Sequence, residues 1–128
     1  MADKIVLLDT SILIDFYRKT NKENSIWVSL IEDGYEFAIS IITKYEIYNN
    51  VSQDQKQYWD DVLASVIMLP FDSATVDKAI DINSELKRKR KQIAIPDLFI
   101  AATAMANKLP ISTLNKKHFE RIEELAFV

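Results

Sequence analysis

The sequence of 128 residues contains no cysteine, which excludes disulfides and thiolate metal centres and suits a reducing cytoplasm, where we expect the protein to act. No apolar run approaches the roughly 20 residues of a membrane-spanning helix. The first apolar stretch, Ile5 to Leu8, is cut short by Asp9 and is too brief for a signal peptide. Nor is there an excess of positive charge. The formal net charge of −3 argues against nucleic-acid binding by bulk charge and leaves only a local basic patch for that purpose. Internal repeats, low-complexity segments and a second domain are also missing. We therefore expect one domain spanning residues 1–128, large enough to bury roughly 65–70% of its unfolded surface.

Short unbroken apolar runs alternate with helical patterns. Ile5-Val6-Leu7-Leu8 lacks the alternation of a half-exposed strand and reads as one buried on both faces of a parallel sheet. Asp9 closes it, and Ser11 is placed to cap a helix over 12–17. A second helix is expected over 23–32, stopped by Gly34, the only glycine. A second strand follows over 37–42, then helices over 43–50 and 53–65. A third strand, 66–69, stops at Pro70. The longest helical pattern, 72–90, places Val76, Ala79, Ile80, Asn83 and Leu86 inward. After the extended lead Ile93-Ala94-Ile95-Pro96, residues 98–107 form a helix buried nearly all round. Residues 109–112 make a fourth strand, with Pro110 marking its start or an edge. A short helix over 115–124 and a strand stub at Phe127-Val128 complete the chain. The pattern predicts an α/β fold: a three-layer α/β/α sandwich around a mainly parallel sheet of four to five strands.

Three acids stand where an apolar segment hands over to a helix: Asp9, Glu46 and Asp97. Each has a purely structural explanation to set beside a functional one. Asp97, after a proline, suits a helix N-cap. Thr43-x-x-Glu46 matches a capping box. Asp9 resists such an account best, because a carboxylate closing a buried strand is costly to desolvate alone. Carboxylates ~4 Å apart repel by about 4 kcal/mol at an effective dielectric near 20. A cluster of the three therefore calls for a cation or a raised pKa. With oxygen donors only, the cation would be Mg²⁺ or Mn²⁺ in preference to zinc.

Four stretches together resemble the PIN-domain ribonucleases and, within them, the VapC-type toxins of bacterial toxin–antitoxin pairs. They are Leu7-Leu8-Asp9-Thr10-Ser11-Ile12-Leu13-Ile14-Asp15, Ile42-Thr43-Lys44-Tyr45-Glu46, Pro96-Asp97-Leu98-Phe99-Ile100-Ala101-Ala102-Thr103-Ala104 and Ser112-Thr113-Leu114-Asn115-Lys116-Lys117-His118-Phe119. The resemblance implies that Asp9, Glu46 and Asp97 are both the catalytic acids and the ligands of one or two Mg²⁺ or Mn²⁺ ions that activate water to cleave RNA. It places Ser11 and Thr113 beside the site, orienting waters or phosphate. It further implies a homodimer and an antitoxin segment lying across the acids. One position departs from the family. Where relatives often carry a fourth acid near the end, this chain has Asn115 and His118, which leaves the number of metals open. His118 suits either a ligand or phosphate contact, or a surface position packing beside Phe119.

The run Lys87-Arg88-Lys89-Arg90-Lys91 spans about 400° of helix, so its members cannot all face one groove. It reads as a solvated helix end favoured by the helix dipole, or as an RNA backbone track shared with Lys44, Lys116, Lys117 and Arg121. Trp27, Trp59 and Tyr48 read as core, with one or two lining a groove for a partner helix. Two other functional classes fit part of the pattern. An aspartyl-phosphate domain would use Asp9, but Ser11 stands where dehalogenase-like phosphotransferases need a second aspartate. Receiver domains need an aspartate closing strand three, which ends here in Leu69-Pro70-Phe71. The other class is a PIN fold that binds RNA or a partner without cleaving, prompted by the missing fourth acid.

Overall fold

In the computed structural model, which describes residues 4–49 and 51–128, four strands form one all-parallel sheet. The strands are β1 (Ile5–Leu8), β2 (Glu36–Ser40), β3 (Ile67–Leu69) and β4 (Ile111–Ser112), in the order β3-β2-β1-β4. Leu7 pairs with Ala38 on one side and Ile111 on the other, so β1 is central. Pro110 lies just before β4, where its missing N–H breaks no ladder, and its carbonyl accepts from the Leu7 N–H at 2.9 Å. A parallel bridge from Ile111 to Phe127 supplies the expected last stub.

Alternate residues of β1 serve opposite cores, which is why its run is apolar without interruption. Val6 and Leu8 face α1 (Thr10–Arg18), α2 (Ile26–Glu32) and α4 (Gln53–Val62), packing with Ile12, Leu13, Trp27 and Trp59. Leu7 faces α5 (Ser73–Arg88), α6 (Ile95–Ala106) and α7 (Lys116–Phe119), packing with Leu86, Ile100 and Phe119. Between β2 and α4 runs α3 (Ile41–Tyr48). The three-layer expectation is met.

Several local expectations are corrected, mostly at caps. Helix α1 starts at Thr10, so Ser11 lies inside its first turn and does not cap it. Strand β2 ends at Ser40, whose hydroxyl accepts from the Ile42 N–H and caps α3 three residues before Thr43, the expected cap. Thr43 is then buried inside the helix, and the Thr43/Glu46 capping box does not form. The box forms instead at Ser52 and Gln55, opening α4. The second helical region splits into a 3₁₀ turn, Lys22–Asn24, and α2, because Ser25 caps the latter. The expected end of α3 at Asn50 falls outside the described residues.

On α5 the inward face is Thr75, Ala79, Ile82 and Leu86, whereas Val76 and Ile80 are exposed, at 39% and 57%. The 3.6 period was legible but its phase was not. Asp72 caps the helix by accepting from both the N–H and the hydroxyl of Thr75, which lets a threonine be buried. The last helical stretch is a single turn, α7, in place of the longer helix expected. With so little glycine, Arg90 (φ 58°) and Lys108 (φ 56°) adopt the left-handed conformation after α5 and α6 that glycine usually supplies.

Candidate functional site

The carboxyl edge of a parallel sheet, where strands hand over to helices, is where open α/β folds gather ligands. Asp9 leaves β1 at that edge and is only 2% exposed. Its Oδ2 accepts two hydrogen bonds, from Ser11 Oγ at 2.7 Å and from Thr113 Oγ1 at 2.8 Å. Both hydroxyls are themselves aimed by backbone. Ser11 Oγ accepts from the Leu114 N–H at 3.0 Å, and Thr113 Oγ1 accepts from the Asn115 N–H at 2.9 Å. The loop after β4 thus fixes one oxygen of Asp9. No hydrogen bond to Oδ1, and no basic side chain within ion-pairing distance of either oxygen, is found among the described residues.

Glu46 stands in the second turn of α3, not the first, and its side chain is held from the neighbouring strand–helix junction. Thr10 Oγ1 donates to Glu46 Oε1 at 2.6 Å and lies 3.0 Å from Thr43 Oγ1. Asp97 is the third residue of α6. Ala94 occupies the cap position, so Asp97 is not an N-cap. Pro96 before it lacks an N–H that would have been unsatisfied in a first turn anyway. The structural explanations offered for Glu46 and Asp97 therefore both fail.

Burial pushes the Asp97 carboxyl up from its ordinary value, and the negative charges of Asp9 and Glu46 add to the effect, with His118 opposing it. The three acids therefore share one field. They do not close on a single point: among the described residues no three acidic or histidine side chains converge tightly enough to hold an ion without help. His118, on α7, brings Nδ1 to 3.7 Å from Asp97 Oδ2. Asn115 meets the site through its backbone alone, and its side chain makes no cap.

Of the residues expected at the site, Asp9, Ser11 and Thr113 touch one another, and Asp97 and His118 form a neighbouring pair. Sequence reasoning passed over Thr10. Its signal was present in the paired hydroxyls Thr10-Ser11 after Asp9, of which one serves Glu46 and the other Asp9.

The donor set suits a hard divalent cation. It consists of carboxylate and hydroxyl oxygens around a buried charge without a counter-ion, and Mg²⁺ is bound through one or two carboxylates with several waters retained.

A family profile described as PIN domain matches residues 6–125. Ribonuclease VapC1 of Methanocaldococcus jannaschii is 34% identical over 120 residues, covering 93% of this chain and 82% of that protein. Among solved structures, VapBC-1 from nontypeable Haemophilus influenzae superposes with a TM-score of 0.84 at 22% identity, over 97% of this chain and 96% of the other. A toxin–antitoxin complex from Klebsiella pneumoniae superposes with a TM-score of 0.75 at 25% identity, over 94% and 95%.

Proposed function

Since the chain belongs to the PIN-domain family, we propose that it is a Mg²⁺- or Mn²⁺-dependent endoribonuclease, the toxin of a type II toxin–antitoxin pair. The observation that carries the proposal is Asp9: a buried carboxylate with one oxygen saturated by two hydroxyls and, among the described residues, no donor on the other and no basic side chain in ion-pairing range. Asp9, Asp97 and Glu46 would hold the metal. When bound, the cation supplies a water of lowered pKa and offsets charge developing on the phosphate.

The chain's own residues set the stage for that chemistry. Ser11 and Thr113 hold Asp9 through Oδ2 and leave Oδ1 without a hydrogen-bond donor among the described residues. Thr10 restrains Glu46, which as an exposed glutamate would otherwise sample many rotamers. Asp97, its carboxyl raised by burial and by its acidic neighbours, gives up its proton more readily once a cation offsets those charges. His118 adds a donor toward Asp97 or an incoming phosphate when protonated.

The same reading assigns the protein to the cytoplasm, as a homodimer silenced by an antitoxin. Support for the partner comes from the toxin–antitoxin complex above and from an apolar cavity of about 510 Å³ beside Trp27. Phe16, Ile31, Phe37 and Val66 line it, and the buried Trp27 Nε1 has no acceptor. Trp59 is plain core, and Tyr48 donates to Asp60.

The test is incubation of the purified protein with mixed RNA in Mg²⁺, in Mn²⁺ and in chelator, alongside Asp9→Asn. Cleavage only with metal, and only in the wild type, is expected. Cleavage that survives chelation or Asp9→Asn overturns the metal-nuclease reading. RNA binding without cleavage in both Mg²⁺ and Mn²⁺ supports the catalytically impaired alternative, and labelled phosphate retained on the protein supports phosphotransfer.

A further inference from the structure

The basic run divides in two. Arg88 pairs with Glu85, and Lys89 bridges Glu123 at 2.6 Å and Glu85 at 3.4 Å. These cations are occupied in holding α5 to itself and to the chain's last turns. Arg90 and Lys91 have left the helix. The left-handed Arg90 ends α5, and the Lys91 N–H donates back to the Leu86 carbonyl at 2.8 Å. Both then line a cavity of about 550 Å³, whose other walls are Lys117, Arg121 and a single acid, Glu120. Arg121 Nη1 donates to the Gln92 carbonyl at 3.0 Å, which ties the two walls together.

Four cations against one acid make this cavity positive on a chain whose net charge is −3. Arg90, Lys91 and Lys117 make no ion pair among the described residues. Helix α7 links this cavity to the acidic centre: Lys117 lines the cavity, and the next residue, His118, brings Nδ1 to 3.7 Å from Asp97 Oδ2. Lys116 and Lys44 do not line this cavity and lie over the rings of Phe127 and Tyr48, at 5.2 and 6.0 Å.

We propose that the cavity lined by Arg90, Lys91, Lys117 and Arg121 is a phosphate track, holding the RNA backbone that flanks the cleaved bond. The proposal rests on the nuclease reading for the identity of the strand. Contacts of this kind set affinity and register and carry no base preference. They complement the acidic centre, which by itself repels a polyanion.

The experiment is fluorescence-anisotropy binding of a labelled oligouridylate at several salt concentrations in chelator, where no cleavage intervenes. Neutralising Lys91→Gln together with Lys117→Gln lowers the slope of log affinity against log salt by about 0.7 for each lost contact. Lys91→Arg with Lys117→Arg retains it, and Lys87→Gln, outside the cavity, leaves it unchanged. An unaltered slope in the folded double Gln variant overturns the proposal. So does an equal loss in Lys87→Gln, or absent binding by the wild type. Competition by polyglutamate as strong as by RNA assigns the cavity to an acidic polypeptide and also overturns it. Cleavage in Mg²⁺ is scored separately, so a nuclease without a track and a track without a nuclease give different results.

Discussion

Thr113 donates its hydroxyl to Asp9 Oδ2 at 2.8 Å although 104 positions separate them in the chain. The bond links the loop after β4 to the end of β1 and satisfies a buried charge. Hydrogen bonds to charged groups contribute about 1.5–3 kcal/mol, and leaving a buried partner unsatisfied costs a similar amount. Thr113→Val, nearly isosteric, is therefore expected to lower stability within that range, read as a shifted midpoint in chemical denaturation. It should also weaken Mg²⁺ binding by about 10–100-fold, because the aim of Asp9 is lost. Calorimetric titration of Mg²⁺ checks the second part.

Thr10→Val makes a contrasting case. Thr10 holds Glu46 Oε1 at 2.6 Å, but Glu46 is exposed and regains water when released. Stability should fall by only about 1 kcal/mol, chiefly because the buried Thr43 hydroxyl, 3.0 Å from Thr10 Oγ1, loses that partner. Cleavage should fall at limiting Mg²⁺ and recover as Mg²⁺ is raised, since the variant retains every carboxylate. A deficit independent of metal concentration would show that Thr10 acts on the substrate instead.

How far the sequence led can be judged at such positions. The buried strand ending in Asp9, the sheet and the three acids followed from apolar runs and handover points, signals that depend on neighbours in the chain. The expected caps failed where a neighbouring polar side chain competed. Ser40 captured the start of α3 ahead of Thr43, and Asp9 drew Ser11 away from capping. The pairing of Thr10 with Glu46 and of Thr113 with Asp9 depends on tertiary proximity that local pattern does not encode. The same holds for α5, where the period was plain but packing of Ala79, Ile82 and Leu86 against Leu98 and Ile100 set which side faces inward. The division of the basic run into paired and unpaired cations was likewise invisible, since Glu123 lies far along the chain.

Asp97→Asn should stabilise the metal-free protein, with a definite pH dependence. Burial, then Asp9 and Glu46, raise the folded-state pKa of Asp97 above its unfolded value. Folding then disfavours ionisation. The penalty is absent below the unfolded pKa, grows as pH rises and is complete above the folded pKa. In chelator, the melting temperatures of wild type and Asp97→Asn should coincide at low pH, with the wild type falling behind as pH climbs through the Asp97 value. Each kcal/mol corresponds to about 3–5 °C for a chain of this length. Mg²⁺ at neutral pH should reverse the order. A wild type more stable than the variant at neutral pH without metal would contradict the shared acidic field.

Lys108 offers a test of the fold apart from function. It takes φ 56° after α6, where a side chain meets its own backbone. Lys108→Gly should stabilise by up to about 1 kcal/mol, the relief of strain being partly offset by the freedom glycine gains when unfolded. RNA cleavage should be untouched. Equilibrium unfolding in urea reads the difference.

His118→Asp asks whether the fourth corner of the site is a loss or a substitution. His118 Nδ1 lies 3.7 Å from Asp97 Oδ2, so an aspartate there would add a negative charge to an already acidic group. Metal-free stability at neutral pH should drop, by about 1 kcal/mol, because a second carboxylate beside Asp97 adds like-charge repulsion. Mg²⁺ should then stabilise the variant more than it stabilises the wild type. Binding to the folded state raises stability by about 2.7 kcal/mol at a hundred times the dissociation constant, so tighter binding appears as a larger thermal shift at fixed Mg²⁺. If the added carboxylate also raises the cleavage rate at low Mg²⁺, the wild-type histidine limits metal recruitment. If the rate falls while Mg²⁺ binds more tightly, His118 serves the phosphate and not the metal. The two outcomes assign its role without reference to the other three corners.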